Sequence, residues 1–340
     1  MPSSTSNSES NPNARMRFDR WGRTWATTLL LAATVLICWE LFWRLQGFSP
    51  TVTDDWRYWA ALRRKASDGG AETVALVGAS RIQLGFHPDV FATETGLNPI
   101  MLAIDGSSPL PVLADLARAP EFKGIVICSL TPMFLAEPSE KFGRAEEWVR
   151  LYRNQKLSSR VEARLSLLLS AHMVFRYSAL APWRVIETVL NGGWPEPPYA
   201  GMRPDRYRPA DFTMVDVERY RQGRIERRRE LVAGANPLAP DAFREKIDRI
   251  GAMVRNIQQR GGRVIFVRFP TTGSIRRMES ETWPRSRYWN VFAERVGAPA
   301  IHFEDYPGLS GYDCPDGSHL DVRDARKFTR ALVRILREKN

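Results

Sequence analysis

The sequence predicts an α/β protein: a doubly wound parallel sheet of about five strands, preceded by an N-terminal transmembrane helix and interrupted by a helical insertion. Three observations predict it. Five short, nearly continuous apolar runs, at 73–80, 98–105, 124–131, 263–270 and 301–306, read as strands buried on both faces. Helix-compatible stretches separate them, as crossovers between parallel strands require. One uncharged run, "TWATTLLLAATVLICW" at 24–39, reaches membrane-spanning length when extended past Glu40 to Trp43.

The chain opens with "MPSSTSNSESNPNA", rich in Ser and Asn and without apolar periodicity. With Arg15, Arg17, Arg20 and Arg23 it predicts a disordered, basic cytoplasmic tail over residues 1–23. Those arginines orient the signal anchor at 24–43. They place the N-terminus in the cytoplasm and the rest in the periplasm or its extracytoplasmic equivalent, as a single-pass protein of the inner (cytoplasmic) membrane. A cleavable signal peptide fits less well, because no small-x-small site follows the apolar run and Trp39, Phe42 and Trp43 resemble an interfacial aromatic belt.

Residues 44–72 read as a Trp-rich connector, and residues 73–135 with 241–340 as the sheet domain. The gap between the third and fourth strands is too long for one crossover. It holds a helical pattern, "RVEARLSLLLSAHMVFRYSAL", and a Pro/Gly-rich stretch, "NGGWPEPPYAGMRPDRYRP", so residues 136–240 are expected to form a helical cap or lid. "PDAFREKIDRIGAMVRNIQQRGG" then returns as a helix to the fourth strand. The last helix starts near Asp321, with Ala325, Phe328, Leu332 and Ile335 on one apolar face.

A net charge of +11 is carried by arginines spread along the chain with no recognisable nucleic-acid module, which excludes that partner class. Anionic lipid headgroups or an acidic polysaccharide fit better. Three cysteines make no disulfide framework, although an exported domain is compatible with a Cys128–Cys314 bridge. No His/Cys/Asp cluster has metal-ligand spacing, and no cofactor is expected.

In a parallel sheet, ligands bind beyond the carboxyl ends of the strands. Ser80 closes the first strand in "VALVGASRIQLGF", either as a helix cap or as a nucleophile; it lacks the second glycine of a G-x-S-x-G elbow. Gly106 follows the second strand in "AIDGSSP", where a backbone N–H can approach a ligand closely. Ser129 and Thr131 end the third in "CSLTP". Near the C-terminus, "CPDGSHLDVRDARKFTRALVRIL" holds His319, one of only four histidines, three residues after Asp316. The plain reading is a helix entry capped by Asp316, Ser318 or Asp321. The sharper one is that Asp316 orients His319 as a general base. His302 reads as a core residue of its strand. His87 and His172 carry no pattern.

Taken together, Gly78-Ala79-Ser80-Arg81, Gly106 and Asp316-Gly317-Ser318-His319 resemble the blocks of the SGNH, or GDSL-type, hydrolase superfamily over residues 73–135 and 261–337. The third block departs from it, having no asparagine in "IVICSLTPMF". A membrane anchor and a long insertion look more like the membrane-anchored branch that includes alginate-acetylation and teichoic-acid D-alanyl transfer proteins. The resemblance implies a flavodoxin-like sheet and O-acyl transfer or ester hydrolysis on a cell-envelope polysaccharide or other acylated glycan. It implies Ser80, His319 and Asp316 as catalytic residues and the N–H groups of Ser80 and Gly106 as an oxyanion hole. Arg81, Ser129 and Thr131 are then candidate substrate contacts, Arg81 having a structural ion pair as its alternative. A membrane-bound acyltransferase is a candidate partner. The competing class is a catalytically silent module of the same fold that binds polysaccharide or such a partner.

Overall fold

The computed structural model describes residues 12–138 and 142–339, with side chains from Trp21 onward. In chain order the helices are α1 (Pro12–Leu45), α2 (Trp56–Asp68), α3 (Ser80–Gly85), α4 (Pro88–Thr95), α5 (Leu110–Arg118), α6 (Pro132–Ala136), α7 (Ala145–Arg153) and α8 (Leu157–His172). They continue with α9 (Pro182–Leu190), α10 (Val217–Ala233), α11 (Pro240–Gln258), α12 (Gly273–Thr282), α13 (Trp289–Arg295), α14 (Pro307–Ser310) and α15 (Val322–Glu338). The chain divides into two compact units, Met1–Ser49 with Met173–Pro197, and Pro50–His172 with Pro198–Asn340.

The first unit is built on α1. Its apolar part, Trp21–Leu45, is long and apolar enough to cross a membrane, and Leu29, Leu30, Leu31, Val35 and Ile37 are exposed along it. At its end Trp43 is buried among Phe48, Val174, Leu180 and Val185, and the Glu40 carboxylate accepts from the amides of Val174 and Phe175 at 3.0 Å each. The expected disordered tail is corrected here, since helix begins at Pro12 rather than after residue 23. Proline suits a first helical turn, Ala, Arg and Met are good helix formers, and extending a nucleated helix costs little per residue. The remainder of that expectation, residues 1–11, lies outside the described residues.

The second unit holds one five-stranded, all-parallel sheet: β1 (Thr73–Val77), β2 (Asn98–Met101), β3 (Ile125–Ser129), β4 (Arg263–Arg268) and β5 (Ala300–His302), in the order β2-β1-β3-β4-β5. Strand side chains alternate between two cores. Ala75, Val77, Val126, Cys128, Val264 and Phe266 face α2, α5, α11 and α13, which supply Trp59, Leu113, Ile250 and Phe292 among others. Val74, Leu76, Ile127, Ile265 and Val267 face Ile82, Phe91, Phe328 and Leu332 of α3, α4 and α15. Continuous apolar runs follow from this burial on both faces.

Several sequence expectations are corrected. The strand-like runs at 98–105 and 301–306 are shortened to β2 and β5, the latter running into a 3-10 turn at Phe303–Asp305. The predicted connector contains α2, whose Trp59 is fully buried and donates to Leu102 O at 2.9 Å, so it is part of the core. Cys128 and Cys314 are both free and belong to cores on opposite sides of the sheet, which rules out their bridge. The expected lid at 136–240 is not one body: α7 packs on α2 and α5, residues 173–197 belong with α1, and only residues from about 198 onward run toward the carboxyl edge of the sheet.

That last stretch is pinned at several points. Val52 N donates to Met202 O, Arg208 N to Gln83 O, Val322 N to Ala210 O, and Phe212 N to the Asp321 carboxylate. Arg206, in the left-handed region at φ 64°, has a fully buried side chain clamped by Asp54 at 2.8 and 2.9 Å and donating to Met101 O at 2.9 Å. These contacts offset a backbone conformation that costs a non-glycine residue about 1–3 kcal/mol.

Candidate active site

The first three strands end together. Beyond β1 and β2 the ladder continues, with Leu102 N donating to Leu76 O and Ile104 N to Gly78 O. Two residues further along each chain stand Ser80 and Gly106. Gly78 allows the approach of β3 on the other side: a Cβ there would lie 2.9 Å from Ser129 Cβ and 2.6 Å from Ile82 Cγ2. Ser80 is therefore the first residue of α3 at the carboxyl edge of the sheet, and it is partly exposed. Ala79 before it offers no side-chain cap, so the N–H groups of the first turn are not consumed by one.

The Asp316–His319 turn comes from the far end of the chain. Gly317 takes φ 82°, where only glycine is unstrained, and its carbonyl accepts from Thr272 N, while Cys314 N and O both bond the Thr272 hydroxyl at 3.2 Å. The loop after β4 thus fixes the turn against the sheet, and Asp321 then caps α15 by accepting from Arg323 N at 2.9 Å.

Between these two turns runs a continuous relay. Ser80 Oγ lies 2.9 Å from His319 Nε2, and His319 Nδ1 lies 2.7 Å from Asp316 Oδ2. The other carboxylate oxygen, Oδ1, accepts from the amides of Ser318 at 2.9 Å and His319 at 2.8 Å and from the Ser318 hydroxyl at 3.2 Å. Arg224 of α10 donates through Nε to Asp316 Oδ2 at 3.2 Å. Asp316 is fully buried; burial alone raises its pKa, but His319, Arg224 and the Ser318 amide together hold it far below the usual carboxylate range.

His319 is lowered below its ordinary value, first by burial and then by Arg224 and Arg81, against the opposing pull of Asp316. A neutral ring that donates Nδ1–H to Asp316 leaves the Nε2 lone pair toward the Ser80 hydroxyl. In that tautomer the 3.2 Å approach of Arg224 Nη2 to Nδ1 sets two donors side by side, so Arg224 secures the carboxylate and opposes the imidazolium. Such a group accepts a proton from a hydroxyl, and the buried carboxylate steadies the charge that results.

The remaining predicted site residues have these places. Gly106 sits at φ 62° after Asp105, and Asp105 pairs with Arg208 at 3.0 Å; burial raises Asp105, while Arg208, His319 and Arg224 lower it further. Arg81 is buried and paired with Glu279 of α12 at 2.5 Å, so its guanidinium is held in the structure rather than offered to solvent. Ser129 is 2% exposed behind Gly78, and Thr131 caps α6 through Phe134 N. His302 is buried beside Phe303 and Trp289, with its pKa driven down to about 2 by burial and then by Arg268, Arg285 and Arg276. His87 caps α4. Among the described residues no three His, Cys, Asp or Glu side chains converge as a metal site.

Sequence reading missed the arginine face of α10. Arg221 donates to Pro315 O, Arg224 reaches Asp316, and Arg228 pairs with Glu279 at 3.3 Å. Their spacing of three and four residues is one helical face, yet "ERYRQGRIERRRE" reads as a solvated helix. Glu279 was equally hidden, since only burial separates it from the exposed Glu281 two positions on. A scan against protein-family models finds none that matches the chain, and a search of curated proteins finds no relative.

Proposed function

We propose that the protein is a membrane-anchored serine O-acyltransferase or esterase of SGNH type, acting on ester-linked acyl groups of a cell-envelope polysaccharide or similar acylated glycan. The observation that carries this reading is the Ser80–His319–Asp316 relay, with 2.9 and 2.7 Å links, at the carboxyl edge of a parallel sheet. The strand order, with helices packed on both faces, supports a doubly wound SGNH-like sheet. Arginines before the apolar part of α1 support a cytoplasmic N-terminus and an extracytoplasmic domain at the inner membrane.

In the first half-reaction Ser80 Oγ attacks the acyl carbonyl carbon as its proton passes to His319 Nε2. The N–H groups of Ser80 and Gly106 face the developing oxyanion. The intermediate collapses, the ester C–O bond breaks, and Nε2–H protonates the departing oxygen, leaving acyl-Ser80. In the second, an acceptor hydroxyl loses its proton to Nε2 and attacks the acyl carbon, and Ser80 departs with that proton. Water as acceptor gives hydrolysis; a sugar hydroxyl gives transfer. A membrane-bound acyltransferase is the partner suited to supply the acyl group.

The second reading is a silent module of the same fold. It is favoured by "IVICSLTPMF", which holds no asparagine where the resembling proteins commonly carry one after the third strand. Turnover of an acetyl ester by the full-length protein separates the two: the enzyme reading expects turnover lost in Ser80→Ala, and equal rates in wild type and variant would end it.

A further inference from the structure

Helix α8 is amphipathic the wrong way round for a soluble protein. The face turned inward carries Ser159, Ala163, Ser166, Leu167 and Ser170, packed toward α2. The face turned outward carries Leu157, Val161, Leu165, Leu168 and Leu169, each 39–73% exposed. These five recur at helical spacing within roughly a third of the circumference, so they form one continuous apolar strip. Among the described residues no core cluster includes them.

Beside this strip lies a groove of about 430 Å³ between α2 and α8, lined by Ala61, Arg64, Lys65, Asp68, Gly69, Arg160 and Arg164. Four cations meet a single carboxylate there. The mutual repulsion is felt: Arg64 is lowered first by burial and next by Arg160. An apolar strip bordered by a cationic groove has the two halves of an anionic lipid surface as its complement, acyl chains for the leucines and phosphates for the guanidinia.

Chain length says which surface. α2 begins eleven residues after α1 ends at Leu45, and α8 ends at His172, two residues before Val174, whose amide is held by Glu40 near the end of α1. Two residues span at most about 7 Å. We propose that α8 lies in the headgroup region of the bilayer that α1 crosses, with its leucine face in the acyl layer and the Arg64–Lys65–Arg160–Arg164 groove on anionic phospholipid phosphates. This rests on α1 being a membrane span. It adds a second, in-plane contact with the membrane besides the span.

The test uses the full-length chain with Cys38→Ser, leaving only the buried Cys128 and Cys314. Nitroxides are placed one at a time at Leu165→Cys, at Leu31→Cys in the anchor and at Glu245→Cys, an exposed position of α11, in nanodiscs of phosphatidylcholine with phosphatidylglycerol or of phosphatidylcholine alone. The expected result is a Leu165 label open to oxygen and several-fold less accessible to a polar nickel chelate than the Glu245 label. That shielding weakens without phosphatidylglycerol and in R160Q/R164Q. A Leu165 label as open to the chelate as Glu245 overturns the proposal, as does label–label broadening that marks a second copy on the strip. The Leu31 label reports separately on the anchor: shielding there with exposure at Leu165 removes the α8 contact and leaves the span intact.

Discussion

Two buried carboxylates are reached from the same arginine face of α10, Asp316 by Arg224 and Glu279 by Arg228, and they are wired differently. Glu279 is surrounded by three guanidinia, from Arg81, Arg268 and Arg228, so its partners are permanent charges with no proton to exchange. Burial alone raises Glu279, but Arg81, Arg268 and Arg228 bring it down to about 2. Asp316 has one guanidinium, two backbone amides, a hydroxyl and an imidazole. Only the last of these can take up a proton at ordinary pH. The first arrangement ties α3, β4, α10 and α12 together; the second leaves a proton free to travel between Ser80 and His319. The kind of partner, more than burial, decides whether a carboxylate is a structural hub or an orienting group.

The sharpest way to break the comparison is to remove one group from each side. His319→Ala is expected to lower acyl turnover at least roughly 10⁴-fold with little change in melting temperature. Glu279→Gln is expected to leave three buried arginines uncompensated, at a cost of about 3–5 kcal/mol in stability, read as a fall in melting temperature. Similar effects of both variants on both readouts would show that the two carboxylates are not divided in this way.

Arg224 belongs to the second arrangement, where it holds Asp316 and opposes protonation of His319. With Arg224→Gln the imidazolium is less disfavoured, so the acid limb of the rate profile should move up toward 6.5, the ordinary histidine value. Lost activity without a shifted limb would assign Arg224 to positioning alone.

The most diffuse effect is on stability against pH. His302 and His319 both have folded-state pKa values below the unfolded value of 6.5. The unfolded chain therefore binds more protons as pH falls. The stability these groups contribute is complete above 6.5 and declines below it, toward about 2 for His302, at up to about 1.4 kcal/mol per pH unit for each histidine. Melting temperatures should fall from pH 7 to pH 5, and His302→Gln should flatten that slope.

The sheet was legible because β1, β3 and β4 are buried on both faces and carry unbroken apolar runs. The ends of β2 and β5 were not, since apolar residues such as Leu102 and Phe303 are equally buried outside regular pairing. Within the candidate site, Ser80, Gly106, Asp316 and His319 could be picked out because turn residues and a rare histidine stand at strand ends. Arg224 and Glu279 could not: Asp316 lies 92 residues from Arg224 and Arg81 lies 198 residues from Glu279, and an arginine-rich helix looks the same in solvent as on a buried acid. The split of the 136–240 segment was hidden for a related reason. Helical periodicity reports which side of a helix is apolar, not which body it packs against.

The central claim is that Ser80 is an activated nucleophile, and covalent labelling tests it most directly. Full-length protein treated with a serine-directed fluorophosphonate should carry one adduct, located at Ser80 by peptide mass spectrometry, and His319→Ala should slow its formation severely. No adduct on the folded protein, or labelling at Ser80 that proceeds as fast without His319, would contradict the account.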